Sequence, residues 1–341
     1  MNTRLNAALA VGATLIGASA AHAQSQSLAF TGGVLLGPRI SLRNLGAPPP
    51  ITGPFGPATG NTVNRNYTDG YNRVDSSGNN EGDTGNWGYS SSAQIVGDRM
   101  VMSASGGGSA ISLDDAGNLA NPSANLEYRG SLGSVGSSAW GILISVGYES
   151  IGAQESGTFT TDSITVEDGF PLHGLRPVDL PPPGYAGTPD SKSPRIGAEP
   201  TRSLRVSPGG RILDGYWKFN ADLIPISGGL YWESQLIGRL NGVAAAGVFV
   251  AFVNADLQFK EHSTISSQPT LTTEGQSSAN EVIYGGFAEL GLDWALWENA
   301  SLVLGARWQP SQDYKLNSAG REAVVDFSSA IAIHTGFSMR F

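Results

Sequence analysis

The sequence predicts an all-β fold, a transmembrane antiparallel up-and-down β-barrel with eight strands, or ten as the alternative. Three observations predict it. The last residues, Val325–Phe341, alternate strictly between apolar and small or polar side chains, which is the period of a strand with one apolar face. No stretch after residue 23 reaches the ~18 consecutive apolar residues that a spanning helix needs. Short connections alternate with long ones along the chain, as in membrane barrels.

The amino terminus predicts a secretory signal peptide over residues 1–23. An apolar stretch, Leu5–Ala20, follows Arg4, and Ala21–Ala23 supplies a small-x-small cleavage site. The stretch is too short to span a membrane as a helix. The mature chain, residues 24–341, is therefore expected to form one barrel domain.

Eight segments of the mature chain carry the alternation of a strand. In the seventh, Leu302, Leu304 and Trp308 alternate with Ser301 and Arg307. The segments are, in order, Leu28–Leu36, Leu126–Leu132, Trp140–Tyr148, Tyr216–Arg239, Val243–Phe259, Glu281–Trp297, Leu302–Trp308 and Val325–Phe341.

The fourth segment, Tyr216–Arg239, changes the parity of its apolar residues. Trp217 has an odd number, whereas Leu230 and Trp232 have even numbers. Successive side chains of a strand point to opposite faces, so an uninterrupted strand would turn one of these groups inward. We therefore predict a β-bulge near Pro225–Gly229 that keeps both groups on the outward face.

The connections divide into two lengths. Short turns are predicted at Gly136-Ser137, Asn241-Gly242 and Glu298-Asn299, and longer outward connections at about 44–121, 167–214, 262–279 and 317–321. The strand number depends on the first long loop. If a hairpin from Trp87–Ser103 and Ala110–Leu113 crosses the membrane, the barrel has ten strands; if the hairpin rises above it, the barrel has eight.

Aromatic residues are expected at the two membrane interfaces. A tilted strand climbs ~2.3 Å per residue along the membrane normal, so Tyr284 to Trp297, or Phe327 to Phe341, spans roughly 30 Å. That is close to the thickness of the hydrocarbon layer. We therefore expect Trp140, Tyr284, Trp297, Phe327 and Phe341 to be interface aromatics.

Charged residues fall on the inward faces of the predicted strands. An eight-stranded barrel is just wide enough to be filled by side chains, and buried charges there must pair. The alternative is a gated or proton-conducting lumen. The expected ion-pair core consists of Glu149, Glu233, Glu289, Asp293, Arg307 and Arg340.

Composition excludes several classes of function. The chain has no cysteine, so it has no disulfide and no thiolate chemistry. Its net charge of −9 argues against nucleic-acid binding. No cofactor or metal is expected.

Histidine offers little for catalysis. His173 and His262 lie in predicted outward loops, and His334 faces the predicted lumen. Glu261, His262 and Ser263 are adjacent in sequence, and neighbours in a strand point to opposite sides, so they are poorly spaced for a hydrolase. We do not expect an enzyme.

Two loop segments have distinctive composition. The segment 75–83 alternates oxygen-bearing side chains as some calcium loops do, but it lacks a closing bidentate glutamate, so a solvated turn is the competing interpretation. The segment Pro171–Pro208 is rich in proline and favours extended chain. It is either a disordered surface loop or an exposed ligand or adhesion surface.

The chain resembles the small outer-membrane β-barrels of Gram-negative bacteria, the OmpA/OmpX type. It is also similar to a group of outer-membrane proteins without an assigned activity, through "YTDGYNRVDSSGNNEGDTGNWGY" at Tyr67–Tyr89 and "GGLYWESQLIGRLNGVAAAGVFVAFVNADLQF" at Gly228–Phe259. The resemblance implies that Phe341 is the assembly signal read by the barrel-assembly machinery, and that lipids and lipopolysaccharide surround the barrel.

The expected function is therefore that of a non-enzymatic surface protein of the bacterial outer membrane. Its role would be structural, adhesive or envelope-stabilising and would lie in the extracellular loops, whose ligand the sequence does not identify. The alternative is a small passive channel for ions or polar solutes.

Overall fold

A computed structural model of the chain describes residues 26–47, 55–192, 194–265 and 270–341. The predicted signal peptide lies outside these ranges. The described chain is all β, as predicted, and no helix in it is long and apolar enough to cross a membrane. Single 3-10 turns lie at Asn80–Gly82, Ser92–Gln94 and Pro177–Asp179. The strands are β1 Gln26–Leu36, β2 Arg39–Leu45, β3 Arg65–Asn66, β4 Gly70–Asn72, β5 Asp83–Thr84, β6 Trp87–Tyr89, β7 Ile95–Val96, β8 Arg99–Gly108, β9 Ile111–Leu113, β10 Ala120–Val135, β11 Ser138–Pro171, β12 Ile196–Gly197, β13 Thr201–Ile237, β14 Leu240–Ile265, β15 Leu271–Ala295, β16 Ala300–Trp308, β17 Tyr314–Ser318, β18 Arg321–Asp326 and β19 Ile331–Arg340.

Eight of these strands pair with one another in a cycle, which we call the strand ring. The antiparallel pairings run from β1 to β10, β11, β13, β14, β15, β16 and β19, and then back to β1. Each strand of the ring corresponds to one of the eight segments predicted from the sequence. The ring has two ends. We call the end with the two- to four-residue connections the short-turn end, and the opposite end, where β11, β13, β14 and β15 extend furthest, the long-strand end.

The long-strand end consists of four strands that continue far beyond the length needed to cross a membrane. Strands β11, β13, β14 and β15 have 34, 37, 26 and 25 residues, whereas ~9–11 tilted residues suffice. The long loop predicted at 262–279 is therefore largely strand, and the one predicted at 167–214 is strand at both of its ends. The extended parts of these strands carry polar side chains and did not resemble membrane strands in the sequence, because the outward face at the long-strand end need not contact lipid.

The polarity of the two faces reverses along β13. In its last third, Leu230 and Trp232 point outward and are 60% and 44% exposed. Nearer the amino-terminal end of the same strand, Trp217 and Phe219 point inward and are fully buried. The pairing of β13 with β14 runs without a shift from Arg211 to Gln235, so the bulge predicted near Pro225–Gly229 is wrong.

Strand β14 shows the same arrangement. Val243, Phe249 and Val253 share the predicted apolar face, but this face points inward and is buried. The outward side carries Val248 and Phe252, which are 69% and 47% exposed. Both faces of β14 are apolar here, so alternation by itself did not identify the outward one.

The turns at the short-turn end agree with two of the three predictions. Gly136 and Ser137 connect β10 to β11, and residues 296–299 connect β15 to β16. The third turn lies at Gly238-Arg239 rather than at Asn241-Gly242, which pair within β14. Gly238 has a φ of 55°, a left-handed conformation that glycine adopts without a steric penalty.

A second, four-stranded sheet, which we call the inner sheet, fills the long-strand end of the ring. Its order is β17-β18-β2-β9, and its residues pack in one apolar cluster with the inward side chains of β13 and β14. This sheet corrects the predicted last strand. Strand β19 begins at Ile331, whereas Val325 belongs to β18 and Phe327 follows it, and both are buried.

The chain between β2 and β10 contributes most of a compact head. Its core contains Trp87, Tyr89 and Met100, packed with Phe170 near the end of β11 and with Ile196 of β12. Strand β8 pairs with Ser163–Pro171 of β11, beyond the point where β10 ends, and β9 pairs with β2 instead of β8. The two halves of the predicted extra hairpin therefore belong to different sheets.

Candidate functional site

The outer face of the strand ring carries an apolar band. The band is built by the side chains that alternate with the inward ones. It faces outward on strands from every part of the ring. Its most exposed members are Phe30, Leu230, Val248, Tyr284, Leu290, Trp294, Leu304, Trp308, Phe337 and Met339.

The predicted interface aromatics lie in different places. Trp140, Tyr284, Trp297 and Phe341 are exposed, and Trp297 and Phe341 lie at the short-turn end. Phe327 is only 3% exposed and packs in the apolar cluster under the inner sheet, so its assignment to the interface is wrong. The physical reason is that the chain between β16 and β19 folds back into the ring.

The lumen has four layers. The first is an open vestibule of about 490 Å³ at the short-turn end, lined by Arg129, Tyr231, Glu233, Arg239 and Arg340 among others. Glu233 accepts hydrogen bonds from Arg340 and from the side-chain amide of Asn241. Arg340 is 44% exposed, so this pair lies at the rim of the lumen.

The second layer is a belt of buried ion pairs. Arg129 donates to Glu127 at 2.7 Å and to Asp293 at 2.9 Å. Arg307 donates to Glu289 at 2.6 Å and to the other oxygen of Glu127 at 2.9 Å. Glu127 therefore joins the two arginines, and the belt connects β10, β15 and β16.

Packing holds the guanidinium of Arg307 in this belt. Its third contact is a donated hydrogen bond of 3.3 Å to the hydroxyl of Ser145, and its Cζ lies 4.5 Å from the centroid of the Phe287 ring. Arg129 and Arg307 are 4% and 6% exposed. Removing one partner of such a buried network leaves uncompensated charge, which is strongly destabilising.

The third layer is a cavity of about 30 Å³ just beyond the belt, which we call the polar cavity. Glu149 lies on its wall and is 6% exposed. Its Oε1 accepts a hydrogen bond of 2.5 Å from Gln309, and no guanidinium or imidazole among the described residues forms an ion pair with it. Thr31, Ser123, Asn125, Arg307 and His334 also line this cavity.

The fourth layer is the apolar cluster under the inner sheet. Glu261 is buried in it and accepts hydrogen bonds from Trp217 Nε1 and the backbone N–H of Gly46, both at 2.8 Å. Arg321 donates to the same carboxylate at 2.6 Å. These contacts tie the inner sheet and the first long connection to the wall of the ring.

The structure brings four of the six predicted core residues into the lumen interior. Glu289, Asp293 and Arg307 lie in the belt and Glu149 lines the polar cavity, whereas Glu233 and Arg340 pair at the rim. Sequence reasoning missed Glu127 and Arg129. The signal was present, because these two residues alternate with the apolar Leu126 and Tyr128 in a segment predicted to be a strand.

The acidic loop of residues 75–83 uses its first carboxylate internally. Asp75 accepts hydrogen bonds from the backbone N–H groups of Ser77, Asn79 and Gly85 at 2.9 to 3.3 Å. Burial raises the pKa of Asp75, but these hydrogen bonds and that of the Ser77 hydroxyl outweigh it, so the pKa is lowered. Among the described residues, no group of three or more His, Asp or Glu side chains is placed to hold a metal ion.

A second buried carboxylate organises the head. Asp168 accepts bidentate hydrogen bonds from Arg202 at 2.7 and 2.8 Å and one from the Tyr67 hydroxyl at 2.5 Å. Burial and the bond to Asp168 raise the pKa of Tyr67. Arg202 also lies over the ring of Phe55, so the start of β13 is attached to the head.

The adjacent Glu261, His262 and Ser263 do not converge. Glu261 points into the apolar cluster, whereas His262 points outward and lies 2.9 Å from the hydroxyl of Thr272. Ser263 accepts a hydrogen bond from Arg211 at 2.6 Å. The three side chains therefore lie on alternate faces of β14, as the sequence predicted for neighbours in a strand.

No protein-family model and no curated protein sequence matches the chain. Solved structures similar to it include the outer-membrane protein OprG of Pseudomonas aeruginosa, with 11% identity, a TM-score of 0.30 and coverage of 94% of this chain and 97% of that one. The outer-membrane protease OmpT of Escherichia coli has 9% identity, a TM-score of 0.33 and coverage of 93% and 97%. The attachment invasion locus protein Ail of Yersinia pestis has 9% identity, a TM-score of 0.25 and coverage of 93% and 100%. At these values the likeness carries no argument about function.

Proposed function

We propose that the chain is a non-enzymatic outer-membrane β-barrel with a blocked lumen, whose specific role is performed by the head and loops on the cell surface. That role is structural, adhesive or envelope-stabilising. The strand ring anchors the head in the outer membrane, surrounded by lipid and lipopolysaccharide. The exposed Phe341 at the end of β19 serves as the signal for the barrel-assembly machinery.

The observation that carries this proposal is the filled lumen. Above the vestibule, the ion-pair belt, the polar cavity and the apolar cluster follow one another along the barrel axis. An eight-stranded barrel leaves little more room than its own side chains occupy. A permeating ion would have to separate buried ion pairs and then cross a layer built mainly of apolar side chains.

We further propose that the eight strands of the ring, and no others, cross the membrane. In support, β8 pairs with β11 only along Ser163–Pro171, whereas β10 pairs with Ser138–Glu149 of the same strand. On β11, about 14 residues separate Glu149, the last residue paired with β10, from Ser163, the first residue paired with β8. In a tilted strand this separation corresponds to roughly 30 Å along the membrane normal. Strand β8 therefore belongs to the head.

Single-channel conductance tests the blocked lumen. The folded mature protein is inserted into a planar bilayer and recorded in KCl over a range of concentrations, with folding checked by the heat-modifiable mobility of the same preparation on a gel. We expect no steady conductance. Steady openings proportional to the salt concentration would contradict the proposal and favour a small passive channel.

A further inference from the structure

On three of the long strands, the outward face changes abruptly from apolar to polar side chains. One cross-strand row of β13, β14 and β15 carries Ile224, Phe252 and Val282, which continue the apolar band. The next two rows toward the long-strand end carry no apolar side chain on this face. Their six residues, which we call the amide belt, are Asn220, Asp222, Asn254, Asp256, Ser278 and Asn280.

Asparagine and aspartate are unusual residues for the middle of a long strand. Both are depleted in strands, but they occupy five of the six positions of the amide belt. Farther out on the same face, as far as Ile212, Thr264 and Thr272, Asp214 is the only residue of either type. Local rules of this kind are broken mainly at functional sites, so the belt is a candidate binding surface.

The three asparagines of the belt are available to a ligand. Asn220, Asn254 and Asn280 are exposed, and in the described part of the chain none of their side-chain amides forms a hydrogen bond. Neighbours in a row have their Cβ atoms ~5 Å apart, so each row spans ~10 Å across the three strands. The belt is therefore a continuous polar surface and not a set of isolated side chains.

The two aspartates of the belt are fixed by hydrogen bonds from neighbouring side chains. Asp222 accepts one of 2.8 Å from the Tyr148 hydroxyl, and Asp256 accepts one of 3.1 Å from the side-chain amide of Gln258. Each carboxylate keeps further acceptor positions, because an ionised carboxylate has about four of them. The belt thus presents fixed acceptors between amides that both donate and accept.

The position of the belt determines what covers it. Its rows lie two and four residues beyond the last apolar row, or ~5 and ~9 Å along the membrane normal. Lipid headgroups occupy a layer of about this depth outside the hydrocarbon core. The lipids whose chains contact Phe252 and Val282 therefore place their headgroups against the belt.

The composition of the belt favours a sugar over a phosphate. No residue of the belt is cationic, and the charges of Asp222 and Asp256 repel an anion. A saccharide has hydroxyl groups that donate to carboxylates and amide oxygens and accept from amide N–H groups. Lys218, one row farther out, is the residue that a phosphate would be expected to contact.

We propose that the amide belt binds the sugar headgroup of a membrane glycolipid through hydrogen bonds with its asparagine and aspartate side chains. These contacts stabilise the barrel and fix its depth in the leaflet. On the cell surface the glycolipid is lipopolysaccharide. That assignment rests on the proposed function, since it requires the long-strand end to face outward, whereas the recognition of sugar does not depend on the orientation.

Unfolding from vesicles of defined composition tests the belt. The folded protein is inserted into vesicles of phosphatidylcholine alone, with added digalactosyldiacylglycerol, or with added phosphatidic acid, all with the same acyl chains. The urea midpoint is followed by heat-modifiable mobility on a gel. A lipid that binds only the folded barrel raises the midpoint progressively with its content. We expect the galactolipid to raise the midpoint and phosphatidic acid to leave it unchanged.

The triple variant Asn220→Val, Asn254→Val and Asn280→Val assigns the effect to the belt. Valine favours strands, so in phosphatidylcholine the variant should unfold at a midpoint no lower than that of the wild type. The shift caused by the galactolipid should be lost. Asn317→Val is the matched control, because Asn317 is an exposed asparagine of β17 in the inner sheet, away from the lipid-facing surface, and it should keep the full shift.

Three outcomes would overturn the proposal. They are an unchanged wild-type midpoint on addition of the galactolipid, a full shift in the triple variant, and a rise with phosphatidic acid that equals the rise with the galactolipid and is lost in Lys218→Gln. The last result would mean that this face recognises phosphate. None of these results bears on the blocked lumen or on the side of the membrane that the head occupies, which conductance and the labelling of intact cells test separately.

Discussion

Arg307 shows how single residues hold the interior of this barrel together. Its guanidinium contacts the carboxylates of Glu289 and Glu127 and the hydroxyl of Ser145, and it stacks on Phe287. These partners come from three strands, β10, β11 and β15. The side chain of Arg307, which lies on β16, therefore connects its own strand to these three strands inside the lumen.

Replacing Arg307 by alanine is expected to destabilise the barrel by about 3–5 kcal/mol, because it leaves buried carboxylates without their partner. Export and membrane insertion should be unaffected. The measurement is the free energy of unfolding in urea. Arg205→Ala is the control: Arg205 pairs with Glu167 but is 61% exposed, so the change should cost about 0–1 kcal/mol. An equal effect of both changes would refute the ion-pair belt as a stabilising element.

Asp75 gives the head a dependence on pH. Its pKa is lower in the folded head than in the unfolded chain, so the ionised form stabilises the head at a pH above the unfolded value of about 4. This stabilisation is lost as the pH falls through the folded pKa. We expect the urea midpoint of the head, followed by near-ultraviolet circular dichroism, to fall between pH 5 and pH 2.5.

Asp75→Asn is the variant that tests this assignment. An amide does not titrate, so the variant should be less stable at neutral pH and should lose less stability on acidification than the wild type. If both proteins lose the same amount, other carboxylates cause the acid sensitivity of the head.

At the scale of elements, the long strands reverse the polarity of their faces as they leave the membrane. On β13, the inward side is polar near Ser227 and apolar at Trp217, while the outward side changes from Leu230 to Asp214 and Asn220. The solvent outside the wall changes from lipid to water, and the interior changes from an ion-pair belt to an apolar cluster. Both changes follow from the hydrophobic effect acting on one continuous sheet.

Adjacent alanines on β14 test which face is outward. Ala245 points inward and is 7% exposed, whereas Ala246 is on the exposed side. The chain has no cysteine, so Ala245→Cys and Ala246→Cys each introduce the only thiol. In folded protein in liposomes, a small lipid-soluble thiol reagent should modify the cysteine at 246 several times faster. Faster reaction at 245 would mean that the register of β14 is reversed.

At the scale of the whole molecule, the barrel is an asymmetric object. The short-turn end contains two- to four-residue connections, and the long-strand end supports the inner sheet and the head. Both described termini, Gln26 and Phe341, lie at the short-turn end, where the backbone N–H of Phe341 bonds to Gln26 at 3.0 Å. In a barrel whose short turns face the periplasm, the head is on the cell surface.

Thiol labelling of intact cells tests this orientation. Val178 in the head is 81% exposed, and Ser137 lies in an exposed turn at the opposite end. A membrane-impermeant maleimide should label Val178→Cys on intact cells, and Ser137→Cys only after the outer membrane has been permeabilised. The reverse pattern would place the head in the periplasm and contradict the proposed surface role.

Much of the ring could be predicted from the sequence because its evidence is local. Alternation located all eight strands, and on β15, β16 and β19 it also identified the lipid-facing side chains, such as Leu290, Leu304 and Phe337. The prediction failed on β13, where a change of parity suggested a bulge, and on β14, where both faces are apolar. The sequence does not indicate where along β13 the membrane ends. The polarity of the two faces reverses at that level, and in the sequence this reversal has the same pattern as a β-bulge.

By itself, the sequence determined the all-β fold, the eight segments that pair in the ring and the inward side of Glu289, Asp293 and Arg307, since each depends on the two-residue period of a strand. Only the tertiary structure decided that Phe327 is buried, that Glu127 joins Arg129 to Arg307 and that Thr31 and Glu149 share one cavity. These features depend on contacts between strands remote in sequence. Pairing register and inward folding of the long connections set those contacts, and neither leaves a local pattern in the chain.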